Sequence, residues 1–339
     1  MVYVFTFLGE FGYELFNWQG VVRKFSRALG PSDRIVCCSR SNLYPLYETA
    51  LLYIDISEVE LFKNSQASCY SAIVPGSSDH GSWRNRAFDR KLRGSLKSFI
   101  SGRLRVTNSK RGPWAKKEKV VFVFSSVKTQ LNGCTFGCDP HLLGQEGDIY
   151  ARLDLGNNLY QKIEPDLRLR SEVERQIGFE LSEPYVLIQT RARQVVVRSR
   201  DVVPKDELIR ALAERIRVVL LSFNTGRKFD SFSQFDPSLK TVHYECRSFV
   251  EQACLVHFAK ACLFFTEGDF GSHMYVPPFM GKEVVAIAPR SVYGLGTTPI
   301  DFWNENAFPF GGRIIPRISE EVFANRHSMV TVLDELLSR

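Results

Sequence analysis

Three polar runs in this sequence follow apolar stretches and carry residues able to do chemistry. The first, Leu8-Gly9-Glu10-Phe11-Gly12-Tyr13-Glu14, combines two glycines with two carboxylates. Gly9 and Gly12 let a backbone approach a ligand closely, and Glu10 or Glu14 has the chemistry of a general base on an attacking hydroxyl. Glu14 equally suits a plainer task, complementing the dipole at a helix N-terminus. The second run, Gln189-Thr190-Arg191-Ala192-Arg193-Gln194, is followed by Arg198 and Arg200. A guanidinium fork meets a phosphate through two parallel hydrogen bonds, so Arg191 and Arg193, with Gln194 beside them, suit a diphosphate. The plain alternative is a solvated basic loop.

The third run, Thr266-Glu267-Gly268-Asp269-Phe270-Gly271-Ser272-His273, packs the most polar function between two apolar stretches. Gly271, Ser272 and His273 at a helix start offer N–H and side-chain donors to phosphate, and Glu267 can take ribose hydroxyls. Asp269 and Glu267 are also candidate carboxylate nucleophiles. His273 alone would pass for a structural histidine.

These runs need strands and helices to hold them. In the first half the pattern predicts a strand over 2–8, a helix over 13–28 with Leu15, Trp18, Val22 and Phe25 at helical spacing, a strand over 34–39, a helix over 43–52, a short strand over 69–74 and a strand over 120–124. Asn132 to Asn158 reads as a loop-rich segment and Asp166 to Arg175 as a connecting helix. The second half restarts with Tyr185-Val-Leu-Ile-Gln189, an apolar run suited to a strand buried on both faces. A helix over 204–215, strands over 218–223 and 241–244, a helix over 249–260, a strand over 261–266, a short helix over 272–280, a strand over 283–288 and a closing helix over 319–337 follow. Two separate alternating series predict an α/β chain of two Rossmann-like, doubly wound domains facing a central cleft, over 1–165 and 166–339. All three polar runs then fall at carboxyl ends of strands.

Composition excludes several classes. With 339 residues, 44% hydrophobic and 24% charged, the chain reads as globular, and no stretch approaches the ~20 apolar residues of a membrane span. The N-terminus reads as a first strand and not as a signal peptide. Eight cysteines scattered through apolar segments suit reduced, buried thiols and a cytoplasmic location. Cys134 and Cys138 with His141 approach a zinc spacing but lack a fourth ligand, so no metal site is expected.

The formal charge of +7 is concentrated. Between Arg84 and Lys119 stand thirteen Lys or Arg residues against Asp89 and Glu118. Phe88, Leu92, Leu96, Phe99 and Leu104 recur among Arg84, Arg86, Arg90, Arg93 and Lys97, a pattern for a cationic amphipathic helix, although Gly94 and Gly102 weaken it. Such a helix can lie on an anionic membrane, or turn its apolar stripe to its own core, or meet a polyanion. With Trp83, Phe88 and Trp114 as stacking groups, nucleic-acid binding is a competing reading that the separate polar turns disfavour.

The third run, the helix after it, Gly281-Lys282 and the strand ending at Ala288 resemble the nucleotide-binding segment of GT-B glycosyltransferases. The strand ending in Arg191 and Arg193 is similar to one in the fucosyltransferase-like branch, and Gly9-Glu10-Phe11-Gly12 resembles the glycine loop of the N-terminal domain. The resemblance implies sugar transfer from a nucleotide-sugar to a glycan or lipid-linked hydroxyl, inverting with Glu10 as base, with no cofactor or metal ion. Gly9, Gly12, Arg191, Arg193, Gln194, Glu267, Gly271, Ser272 and His273 would face the donor, with retention through Asp269 or Glu267 the mechanistic alternative. Gln189 and Thr190 depart from the branch, where a histidine often precedes the arginine.

Overall fold

A computed structural model describes residues 1–8, 11, 14–59, 61, 86–110, 119–127, 129–136, 162–191, 205–223, 240–266, 272–293, 300, 304, 308 and 311–338. The chain divides into two units, Met1–Leu159 and Tyr160–Arg339.

In the first unit, strand β1 (Val2–Thr6) lies parallel between β2 (Arg34–Ser39) and β4 (Val120–Phe124), and β3 (Leu52–Asp55) pairs with β2, giving the order β3-β2-β1-β4. Every residue of β1 is buried, as a central parallel strand covered on both faces must be. A π-helical turn, Glu14–Trp18, leads into helix α1 (Gln19–Arg27). Leu15, Trp18, Val22 and Phe25 are all buried, as their spacing predicts. Trp18 and Phe25 meet Phe5 edge-on at ring distances of 6.2 and 5.4 Å.

Two expectations for this unit need correction. The segment 43–52 is not a helix: Asn42 takes a positive φ of 66°, Pro45 sits in a single 3₁₀ turn over Tyr44–Leu46, and the chain re-enters the sheet as β3. Residues Thr129–Leu131 (β5) and Cys134–Phe136 (β6), expected in part as loop, form a hairpin closed by Asn132 and Gly133 at φ of 47° and 76°. The Asn-Gly pair is suited to that two-residue turn. The short strand expected over 69–74 lies outside the described residues.

The basic segment is helix α2 (Arg86–Lys110). Leu92, Leu96, Ile100 and Leu104 form a stripe buried in one cluster with Val2, Val4, Val36 and Ile54 of the sheet. Four such side chains contribute about 1.5–3 kcal/mol each, which outweighs the roughly 1 kcal/mol cost of each helical glycine. The apolar stripe is therefore spent on the helix's own core.

In the second unit, helix α3 (Arg170–Ile177) follows Asp166, whose carboxylate accepts from the Arg168 amide, and ends at Gly178 with φ 77°. Six parallel strands follow: β7 (Tyr185–Arg191), β8 (Arg217–Phe223), β9 (Thr241–Cys246), β10 (Ala261–Thr266), β11 (Glu283–Ala288) and β12 (Arg313–Ile318), in the order β12-β11-β10-β7-β8-β9. Strand β12 is an element the pattern missed: RIIPRI carries a proline, which an edge strand tolerates. Helices α4 (Lys205–Ala213) and α9 (Arg326–Ser338) pack Leu208, Leu212, Leu333 and Leu336 against Val186 and Ile188 on one face of this sheet. On the other face runs α5 (Phe249–Phe258), capped by the Ser248 hydroxyl, where Tyr185 Oη donates to Leu255 O at 2.5 Å. Between β10 and β12 come a 3₁₀ turn over Ser272–Tyr275, α6 (Val276–Phe279) and α7 (Arg290–Tyr293). The expected closing helix is two helices, α8 (Ser319–Val322) and α9.

Candidate functional site

Both sheets reverse direction once. In the second unit the chain proceeds from β7 to β8 and β9 on one side, then returns to lay β10, β11 and β12 on the other. The switch point lies between β7 and β10, and ligands of open α/β sheets bind outside the carboxyl ends of such a strand pair. Here those ends carry the residues picked out for their chemistry. Arg191 closes β7, Thr266 closes β10, and the two are register partners. The turn holding Ser272 and His273 opens a few residues after Thr266. The second and third polar runs thus start from one edge of one sheet, with backbones adjacent.

Two glutamines lie near this edge. Gln252 of α5, fully buried, donates from Nε2 to the carbonyl of His273 at 3.1 Å and so ties the Ser272–His273 turn to the helix. Gln189, 3% exposed, stands on β7 two residues before Arg191. Neither glutamine was picked out as a site residue. The available signal was a single amide ending the otherwise apolar run Tyr185 to Ile188.

In the first unit the switch point lies between β1 and β4. The Leu8 amide donates to Ser125 Oγ at 2.8 Å and the Ser125 amide to Thr6 O at 3.0 Å, which fastens the start of the glycine run to the end of β4. Glu14 is wholly buried. Tyr47 Oη donates to its Oε1 at 2.5 Å, while Tyr53 Oη donates to the carbonyl of Arg40, itself 2% exposed. Burial pushes the Glu14 carboxyl up to about 7, with the Arg40 guanidinium and the Tyr47 hydroxyl pulling the other way. Glu14 is thus part of a buried polar knot, neither a free helix-terminal charge nor, in this arrangement, open to solvent. Arg40, Tyr47 and Tyr53 went unnoticed in the sequence because their partners lie at distances along the chain that no local spacing marks.

Among the cationic residues of α2, Arg90 and Lys97 are exposed and Arg93 is half-buried. Lys97 Nζ sits 5.7 Å from the Phe122 ring centre, and Arg103 pairs with Glu58. Gly9, Glu10, Gly12, Arg193, Gln194, Glu267, Asp269, Gly271 and Arg84, with the side chains of Arg86, Arg191 and Ser272, lie outside the described residues, as do Cys138 and His141. Cys134 and the five other described cysteines are buried thiols that form no disulfide. Among the described residues no cluster of His, Cys, Asp and Glu could hold a metal ion, and no helix is long and apolar enough to cross a membrane.

The sequence matches no protein-family profile and no curated protein. Solved structures do share its architecture. ADP-heptose lps heptosyltransferase II of Escherichia coli superposes with a TM-score of 0.52 at 12% identity, covering 99% of both chains. A family 9 glycosyl transferase of Veillonella parvula gives 0.47 at 12% identity over 98% of this chain and 90% of its own, and E. coli heptosyltransferase WaaC with ADP gives 0.45 at 11% over 98% and 99%. The first likeness, spanning the whole chain, establishes an α/β fold of the GT-B type.

Proposed function

We propose that this chain is a glycosyltransferase that moves a sugar from a nucleotide-sugar donor to a hydroxyl of a glycan or lipid-linked acceptor, without a metal ion. The observation that carries the reading is the β7/β10 switch point, where Arg191 and Thr266 are register partners and the Ser272–His273 turn follows. Strand order, arginine chemistry and a polar turn held from α5 all suit a diphosphate at one edge. The shared fold supports the donor class, since one structure with that fold is the ADP-heptose lps heptosyltransferase II of E. coli.

In this reading the acceptor oxygen bonds to the anomeric carbon as the bond to the donor's diphosphate breaks. The hydroxyl proton passes to the Glu10 carboxylate, and the nucleoside diphosphate leaves with its charge met by Arg191, Arg193 and the Ser272–His273 donors. The anomeric centre inverts in this single displacement. The exposed cations of α2, Arg90 and Lys97 among them, suit an anionic acceptor or the headgroups around a lipid-linked one at the cytoplasmic membrane face. That contact is electrostatic, because the apolar stripe of the helix is already buried.

Arg191→Ala and His273→Ala test the reading in a transfer assay over a panel of nucleotide-sugars. Each is expected to cut turnover by about 10²-fold, the scale for losing one preorganised donor to developing charge, with melting temperature unchanged. Full activity in both variants would overturn it.

A further inference from the structure

Alternation along β7 sets Val186 and Ile188 into the cluster with α4 and α9, so Tyr185, Leu187 and Gln189 face the opposite side, under α5. Register places Phe264 beside Gln189 and Leu221 on its other flank. In these apolar surroundings both amide atoms of Gln189, Nε2 and Oε1, are buried without a hydrogen-bond partner. On the helix covering the same face, Gln252 Oε1 is buried and without a partner too, although its Nε2 holds the His273 carbonyl.

A buried polar group left unpaired destabilises a fold by about 1–3 kcal/mol, and an apolar residue of the same shape would remove that cost. Gln189 therefore stands where packing alone favours leucine or methionine. Its position gives the amide another use. It stands on β7 two register pairs below the Arg191–Thr266 edge.

We propose that Gln189 is a ligand-contacting, specificity-determining residue of the switch-point site, its amide pairing with groups that both give and take a hydrogen bond, namely the vicinal hydroxyls of the donor's ribose or of its sugar. A carboxamide offers one donor edge and one acceptor edge side by side, which matches a diol and leaves the diphosphate to the cations. Gln252 acts behind it as a positioning residue, holding the His273 backbone. The inference rests on the reading of the second unit as the donor-binding unit.

Gln189→Met, close to glutamine in shape, is the test, with Gln189→Leu as a second variant in case the first folds poorly. Melting temperature and ligand affinity are measured together with UDP, GDP and ADP, their 2′-deoxy counterparts and the corresponding nucleotide-sugars. Without ligand the variant is expected to melt at the same temperature or a few degrees higher. Its affinity for the ligand that wild type binds should fall about tenfold. A loss seen with the nucleoside diphosphate and absent with its 2′-deoxy form assigns the contact to ribose; a loss confined to the nucleotide-sugar assigns it to the sugar. Equal affinity of variant and wild type overturns the inference while leaving the donor reading intact, and so does a lower melting temperature without ligand, which would mean the amide is used by the fold itself. A wild type that binds none of these ligands removes the donor reading first.

Discussion

The two units begin with the same strand order yet treat the carboxyl edge of the sheet in opposite ways. Counting from its first strand, each sheet starts 3-2-1-4, and the second unit adds two more strands beyond the fourth. Near its switch edge the first unit buries an ionisable carboxyl: Glu14 Oε1 takes the Tyr47 hydroxyl, Oε2 is without a hydrogen-bond partner, and the Arg40 guanidinium acts on the group through its charge, while the Arg40 carbonyl takes the Tyr53 hydroxyl. The second unit buries neutral amides there, three of whose atoms have no partner. Buried polar atoms without a partner occur at both edges, Glu14 Oε2 in the first unit as well as the amides of the second, so the difference lies in kind: an ionisable carboxyl beside a guanidinium in one, neutral amides in the other. One topology thus carries an ionisable edge and a neutral one, and fold alone cannot assign function to either.

The contrast can be broken most directly at Glu14. Glu14→Ala strips the carboxylate from beside the buried Arg40 guanidinium and the Tyr47 hydroxyl, and losses of this kind run to about 3–5 kcal/mol. Denaturant unfolding should show that drop. A loss under 1 kcal/mol would mean that the carboxyl does not brace the fold, and would favour its catalytic candidacy instead. No drop of this kind is expected at Gln189, and that opposition in sign is what separates the two edges.

Titration sharpens the comparison on a smaller scale. The Glu14 carboxyl is raised from an ordinary 4.5 to about 7, chiefly by burial. Between these values the folded protein holds a proton that the unfolded chain releases, so folding stability declines as pH rises through that window and levels off above it. Below about 4.5 both states are protonated and this group contributes no slope. Its slope reaches at most about 1.4 kcal/mol per pH unit. The difference between wild type and Glu14→Gln, measured from pH 4 to 8, should carry that slope; a flat difference would place the group in a more hydrated setting than its burial implies.

Legibility in the sequence followed burial. Strands β10 and β11 were bounded correctly because continuous apolar runs such as Ala261 to Phe265 and Val284 to Ala288 are what a parallel sheet covered on both faces requires. Strand β12 escaped because Arg313, Pro316 and Arg317 break its apolar run, as an edge position allows. The stretch from Leu43 to Leu52 imitates a helix by composition, and only the turn set by Asn42 and Pro45 redirects it. The arginine and serine–histidine runs were visible because each sits whole within a few residues. Gln252 and Arg40 matter through partners 21 and 26 positions away, His273 and Glu14. Such pairings are made by the sheet and leave no local trace.

The central claim is that the β7/β10 edge of the second unit takes the nucleotide-sugar. Amide hydrogen exchange with and without a nucleotide-sugar selected from the panel tests it most directly. Slowed exchange at the end of β7, around Gln189 to Arg191, and in the Ser272–Tyr275 turn is the expected result. Saturating ligand that slows exchange only elsewhere, in α2 or at the end of β1, would contradict it.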